Sequence, residues 1–177
     1  MRVLVVGEAD VGRAPLVARL FAQRGLDATS AGIQQASWPV HKHTVTAAKR
    51  VGVGDLGAHV PRVLDVDLLI REGRRLAVTM TREQVFTLSA YDASFFRTTF
   101  TLPELARRCV ALGVVDSYDA WIAAVGEGRT ANDLSPGSPN DDVVDPYGLT
   151  KRAHIALAEA ADTMVAAVVA SMGWLDR

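Results

Sequence analysis

Four short β-prone runs, at residues 3–6, around 28–31, around 76–80 and around 97–102, are each followed by a stretch whose apolar residues fall at helical spacing. Strands that alternate with helices return to one sheet in the parallel sense, and a parallel sheet is covered on both faces. The expected fold is therefore α/β, a three-layer arrangement of a four-stranded parallel sheet with helices on both faces.

Helices are expected from near Pro15 to Gly25, from Thr44 to Gly52, from Thr81 to Tyr91, from Pro103 through Leu112, from Asp116 to about Val125 and from Leu149 to Met172. The first carries Leu16, Val17, Leu20 and Phe21 on one stripe and stops at Gly25, a C-terminal cap residue. The third is entered through Thr81, with Arg82 and Glu83 in its first turn. In the last, Leu157, Ala161, Met164, Val165, Val168 and Met172 recur at three- and four-residue steps, which buries one side and leaves Lys151, Arg152 and Glu159 outside. That stripe is core, not a cofactor box. Between Gly126 and Val143 the chain is rich in Gly, Ser, Pro, Asn and Asp, which predicts a long exposed loop and a mobile element near the site.

A length of 177 residues, 49% hydrophobic and 22% charged, suits one globular domain spanning 1–177. A formal net charge of -1 and a pI near 6.4 give no basic field, so no nucleic acid and no membrane surface are expected as partners. No run approaches the ~20 apolar residues that span a bilayer, and a cytoplasmic location is the default. Cys109, the only cysteine, cannot form an intrachain disulfide and reads as a buried small hydrophobe. His41 and His43 form a His-x-His pair without a neighbouring carboxylate or cysteine, so the solvated reading is preferred. No metal and no other cofactor is expected. His59 and His154 gain meaning only if the fold gathers them.

The segment Gly7-Glu8-Ala9-Asp10-Val11-Gly12-Arg13-Ala14-Pro15 joins the first strand to the first helix. Such a turn offers unpaired backbone N–H groups at the positive end of a helix dipole, where anions bind readily. Gly7 and Gly12 are expected to supply a tight, positive-φ geometry, Arg13 a bidentate guanidinium, and Pro15 the first helical position.

This loop resembles the signature of low-molecular-weight protein tyrosine phosphatases, in which a Cys, five residues, an Arg, a Ser or Thr and a Pro occupy the same turn. Further landmarks follow in order: Ser30-Ala31-Gly32, Trp38-Pro39, His59 with Arg62, Val78-Thr79-Met80-Thr81-Arg82, and Asp145-Pro146-Tyr147. The resemblance covers nearly the whole chain and implies the fold of that family. It also implies that Arg13 holds phosphoryl oxygens and that Asp145 is the general acid, with Trp38 and Tyr147 as aromatic walls.

The departures are as informative as the matches. Gly7 stands where the nucleophilic Cys would be, Asp10 where the family has Asn, Gly12 where it has a second Cys, and Ala14 where a hydroxyl would steady the thiolate. Thiolate chemistry is therefore lost. The single cysteine also removes the related arsenate reductases, which pass oxidation among several thiols. Glu8 and Asp10 bring negative charge to an anion cradle; like charges at ~4 Å cost about 1 kcal/mol in water and about 4 kcal/mol at an effective dielectric near 20. One expectation is that Asp10 occupies the cradle itself and pairs with Arg13 as a built-in phosphate mimic.

Two functions remain open. The first is a pseudophosphatase that binds phosphate, a phosphorylated ligand, another anion or a protein partner through residues 7–15. The alternative is a cysteine-independent phosphomonoester or phosphotyrosine phosphatase, with Asp10 or Glu8 attacking phosphorus or activating water and Asp145 as general acid. A purely structural role would leave Arg13 and Asp145 idle. In that case Asp145 would simply start a turn and cap the last helix.

Overall fold

The computed structural model describes residues 1–134 and 141–175. Its sheet has four parallel strands, β1 (Arg2–Gly7), β2 (Asp27–Gly32), β3 (Ala77–Thr79) and β4 (Thr99–Thr101), in the order β2-β1-β3-β4. Alternation along β1 splits the core into two layers. Val3 and Val5 face a cluster built from α1 (Arg13–Ala22), α2 (Lys42–Arg50), α5 (Leu102–Leu112), α6 (Tyr118–Val125) and α7 (Lys151–Ala170). Leu4 and Val6 face a smaller cluster with Leu64, Leu68, Leu69, Leu88 and Phe95. Leu64 precedes α3 (Val66–Leu68); the others come from that single turn, the π-helical turn Leu69–Gly73 that continues it, α4 (Arg82–Tyr91) and the 3₁₀ segment Ala93–Arg97. The three-layer expectation holds.

Local signals fixed several boundaries. Thr81 and Gln84 form a complete capping box at the start of α4, as the sequence suggested for Thr81. Thr101, Ser117 and Thr150 cap α5, α6 and α7. The last helix is thus capped by Thr150, not by Asp145. Helix α1 begins at Arg13, so Pro15 is its third residue, still within the first turn where a missing N–H breaks no bond.

On α7 the fully buried side consists of His154, Ala158, Ala161, Val165 and Val168, while Leu157 and Met164 only flank the cluster. The helix packs on α1, α2 and α5. By length and composition it is apolar enough to cross a bilayer, with a mean hydropathy of 1.5, contrary to the expectation that no run comes close. Exposed alanines on its outer side, Ala156, Ala160, Ala166 and Ala170, raise that value. A core helix of a soluble protein passes the same test.

The predicted exposed loop at 126–143 is exposed at residues 127, 128 and 130–133 but corrected elsewhere in its described part. Residues Ala131–Leu134 form a 3₁₀ turn, and Leu134, Asp141 and Val143 are buried. Arg129 carries its guanidinium into the core against both oxygens of Glu104 at 2.6 and 2.9 Å, each side chain 2% exposed, between the rings of Phe96 and Phe100. A polar composition concealed this clasp because its apolar partners lie 29 to 33 positions earlier. Residues 135–140 lie outside the described part. Cys109 is buried as expected, and burial pushes its thiol up to about 11.

Candidate anion site at the carboxyl end of the sheet

The loop after β1 lies where the strand order reverses, between β1, which leads outward to β2, and β3, which leads the other way. In open parallel sheets this is where ligands bind. Two glycines make the loop's shape, though through close approach and not through positive φ. A β-carbon built at Gly32 would meet backbone atoms of Ala9 and Asp10 at 2.7–2.8 Å. One built at Gly7 would meet the Ala14 β-carbon at 2.9 Å. The end of β2 then staples the loop: the N–H of Ile33 donates to the Gly7 carbonyl at 3.0 Å, and that of Gln34 to the Glu8 carbonyl at 2.7 Å.

The positive φ falls on Asp10, at 51°, and on neither Gly7 nor Gly12. Asp tolerates this region because its short side chain finds local hydrogen bonds. Its Oδ2 accepts the backbone N–H of Arg62 at 2.9 Å and contacts His59 Nε2 at 2.9 Å; the same Nε2 lies 3.0 Å from the Asp10 carbonyl. Neither oxygen can donate, so His59 Nε2 carries the hydrogen. The Asp10 carboxylate, whose side chain is wholly enclosed, does not pair with Arg13. The expected phosphate mimic is therefore replaced by a tether between the loop and the 59–62 segment. Arg62 holds that segment by donating twice to the Ser30 carbonyl and reaching Glu72. Burial pushes the Glu72 carboxyl up, but hydrogen bonds from Arg62 and Thr29 outweigh it and leave it below the ordinary range.

Arg13 is the first residue of α1, a position where a cation opposes the helix dipole, and neither a side-chain cap nor an acidic residue relieves that turn. Its guanidinium donates to the Val143 carbonyl at 2.6 Å and to Asp145 Oδ2 at 2.7 Å. Asp145 in turn accepts the N–H of Tyr147 at 3.0 Å, an Asx turn. The preceding residues are anchored to three elements: Asp141 to Arg107 on α5, Asp142 to the first N–H of α4, and Val143 to the Met80 carbonyl after β3.

A cavity of about 230 Å³ opens here, lined by the whole of residues 7–14 together with Trp38, His41, Thr44, Asp145, Pro146, Tyr147 and His154. Every residue singled out from the sequence, namely Gly7, Glu8, Ala9, Asp10, Val11, Gly12, Arg13, Trp38, Asp145 and Tyr147, is on that wall. Trp38 and Tyr147 are exposed at its rim, and Glu8 is exposed as well.

Sequence reasoning named His59 beside Arg62 and weighed His41, His43 and His154, but placed none of them at the site. His59 is gathered by Asp10, and His154 by His41 and His43, with ring centroids 5.0–5.5 Å apart and His154 Nδ1 2.9 Å from Thr44 Oγ1. His41 also caps α2, accepting the N–H of His43. Burial, then the neighbouring His41 and His43, lower the His154 pKa against opposition from Asp145 and the Pro146 carbonyl. Burial, His41, Lys42 and Lys151 lower that of His43. Among the described residues no group of three or more His, Cys, Asp or Glu is arranged to hold a metal. The sequence signals were the His41-x-His43 pair and His59 beside Arg62.

A four-stranded parallel sheet with an uncapped, arginine-bearing helix start at its switch point defines an α/β protein with a candidate anion site. Its fold is that of the low-molecular-weight protein tyrosine phosphatases. A low-molecular-weight protein tyrosine phosphatase from T. tengcongensis matches with a TM-score of 0.70 and 19% identity, covering 96% of this chain and 97% of the other. The YwlE arginine phosphatase from Geobacillus stearothermophilus matches at 0.69 and 17%, covering 95% and 90%. The tyrosine phosphatase Wzb from Escherichia coli, solved with sulphate, matches at 0.65 and 14%, covering 94% and 95%. No family model matches the sequence. No curated protein matches it either.

Proposed function

We propose that this chain, one phosphatase-like domain, is a pseudophosphatase that binds phosphate, another anion or a phosphorylated partner through residues 7–15. The observation that carries this reading is the contact between Gly7 and Ala14: the position of the nucleophile leaves no room for a β-carbon, and Ala14 offers no hydroxyl. The strand-to-helix turn, with Arg13 at its end, keeps the chemistry that attracts an anion. Wzb is known with sulphate and, from Vibrio vulnificus, with benzylphosphonate, which supports an oxyanion as ligand.

An aspartate-based phosphatase fits less well. Asp10 would have to leave His59 and the Arg62 N–H before it could attack, and Asp145, the acid in that scheme, is held by Arg13. The test is thermal denaturation with phosphate and sulfate, beside an aryl phosphate assay. Ligand at 100 times its Kd should add about 2.7 kcal/mol of stability, and Arg13→Ala should abolish the effect. Aryl phosphate turnover that disappears in Asp10→Asn would overturn the reading in favour of a carboxylate mechanism.

A further inference from the structure

The structure assigns to Asp145 a role that the sequence had suggested for Asp10: we propose that its carboxylate is a tethered competitor for the anion seat on Arg13, an autoinhibitory latch. This rests on the anion-binding reading above. Arg13 already spends one terminal nitrogen on the Val143 carbonyl and the other on Asp145 Oδ2. A guanidinium has five N–H donors, but an oxyanion gripping at two points takes them from one edge of the fork, and the Asp145 carboxylate sits against a terminal nitrogen that such an edge uses. The Arg13 side chain is only 10% exposed, so it has few other directions from which to be approached, whereas the Asp145 side chain is 53% exposed.

The surroundings make this contact reversible. Residues 141–143 are anchored to α5, α4 and the end of β3, and Thr150 fixes the start of α7. Between those anchors Val144, Asp145, Tyr147, Gly148 and Leu149 are all exposed, and only Pro146 is buried. Gly148 has a φ of 74°, a left-handed turn that lets the strap reverse direction. Swinging out therefore costs the segment little packing beyond Pro146. A carboxylate held by its own Asx turn is also pre-oriented, so it competes at high effective concentration. The apparent dissociation constant for an external anion is the intrinsic one divided by the fraction of molecules with the latch open.

The experiment is calorimetric titration with sulfate, a dianion throughout the working pH range, of the full chain and of Asp145→Asn and Arg13→Ala. Asparagine keeps the Asx turn and removes the charge. We expect sulfate to bind the parent weakly, Asp145→Asn at least about fivefold more tightly, and Arg13→Ala not measurably. Removal of any nearby charge would also tighten binding. In the parent, the side-chain carboxyl ¹³C resonance of Asp145 must therefore move with sulfate occupancy, as the latch requires and a distant field does not. If parent and Asp145→Asn bind equally, or the Asp145 resonance stays fixed at saturation, the latch is refuted while the anion site stands. If neither protein binds sulfate or phosphate, both fall.

Discussion

Replacing Gly7 with alanine tests the premise on which the loss of the nucleophile rests. The added β-carbon would lie 2.9 Å from that of Ala14, at least 0.5 Å inside the 3.4 Å where ordinary contact begins. Neither carbon sits on a rotatable arm. Relief requires β1, registered through Gly7 against Gly32, to move relative to α1. Overpacking of this kind costs about 1–3 kcal/mol. Against it stands a gain of roughly 0.4–1 kcal/mol from restricting the unfolded chain, which glycine replacement gives where φ is not positive. The clash should win, with a net loss of about 1–2 kcal/mol. At roughly 2–4 °C per kcal/mol for a chain of this size, the melting temperature should fall by about 2–8 °C.

Urea and thermal unfolding in phosphate-free buffer measure it. Repeating the substitution in an Ala14→Gly background, where the opposing carbon is gone, should make it neutral or stabilising, with a coupling of about 1–3 kcal/mol. A Gly7→Ala protein as stable as its parent, or an equal loss in both backgrounds, would refute the steric argument. Gly7→Cys meets the same contact and should give no aryl phosphate turnover.

Other expectations follow from single contacts. Glu104→Gln leaves Arg129 charged in the core and should cost about 3–5 kcal/mol in denaturant unfolding, whereas Arg107→Gln, which takes a mostly exposed cation away from the buried Asp141 and leaves an amide donor in its place, should cost less. Asp10→Ala removes the tether to His59 and Arg62 and places a methyl at a φ of 51°, so it should cost about 2 kcal/mol or more; Asp10→Asn, which tolerates that φ, should cost less. Stability without added anion should fall as pH drops below about 6.5. The folded state depresses His43 and His154, so the unfolded chain takes up their protons first. His154→Gln should flatten that slope, as read from unfolding midpoints at pH 7.5 and 5.5.

The sequence by itself determined the sheet, the order of its elements and the place of the loop. Hydrophobic runs, Thr81 and the strand-to-helix punctuation at Gly7 are local signals, and local physics reads them. It also determined what is missing, since a side chain absent from position 7 is absent in any fold. The partners of the charged groups were not legible. Asp10 met His59 and Arg62 across 49 and 52 positions, Arg13 met Asp145 across 132, and Arg129 met Glu104 across 25. Each pairing depends on which segments the fold brings within about 3 Å, a distance no spacing rule along one helix or strand can supply. The same holds for glycine: composition suggested freedom of φ at Gly7 and Gly12, and only packing against Ala14 revealed that Gly7 is there because nothing larger fits.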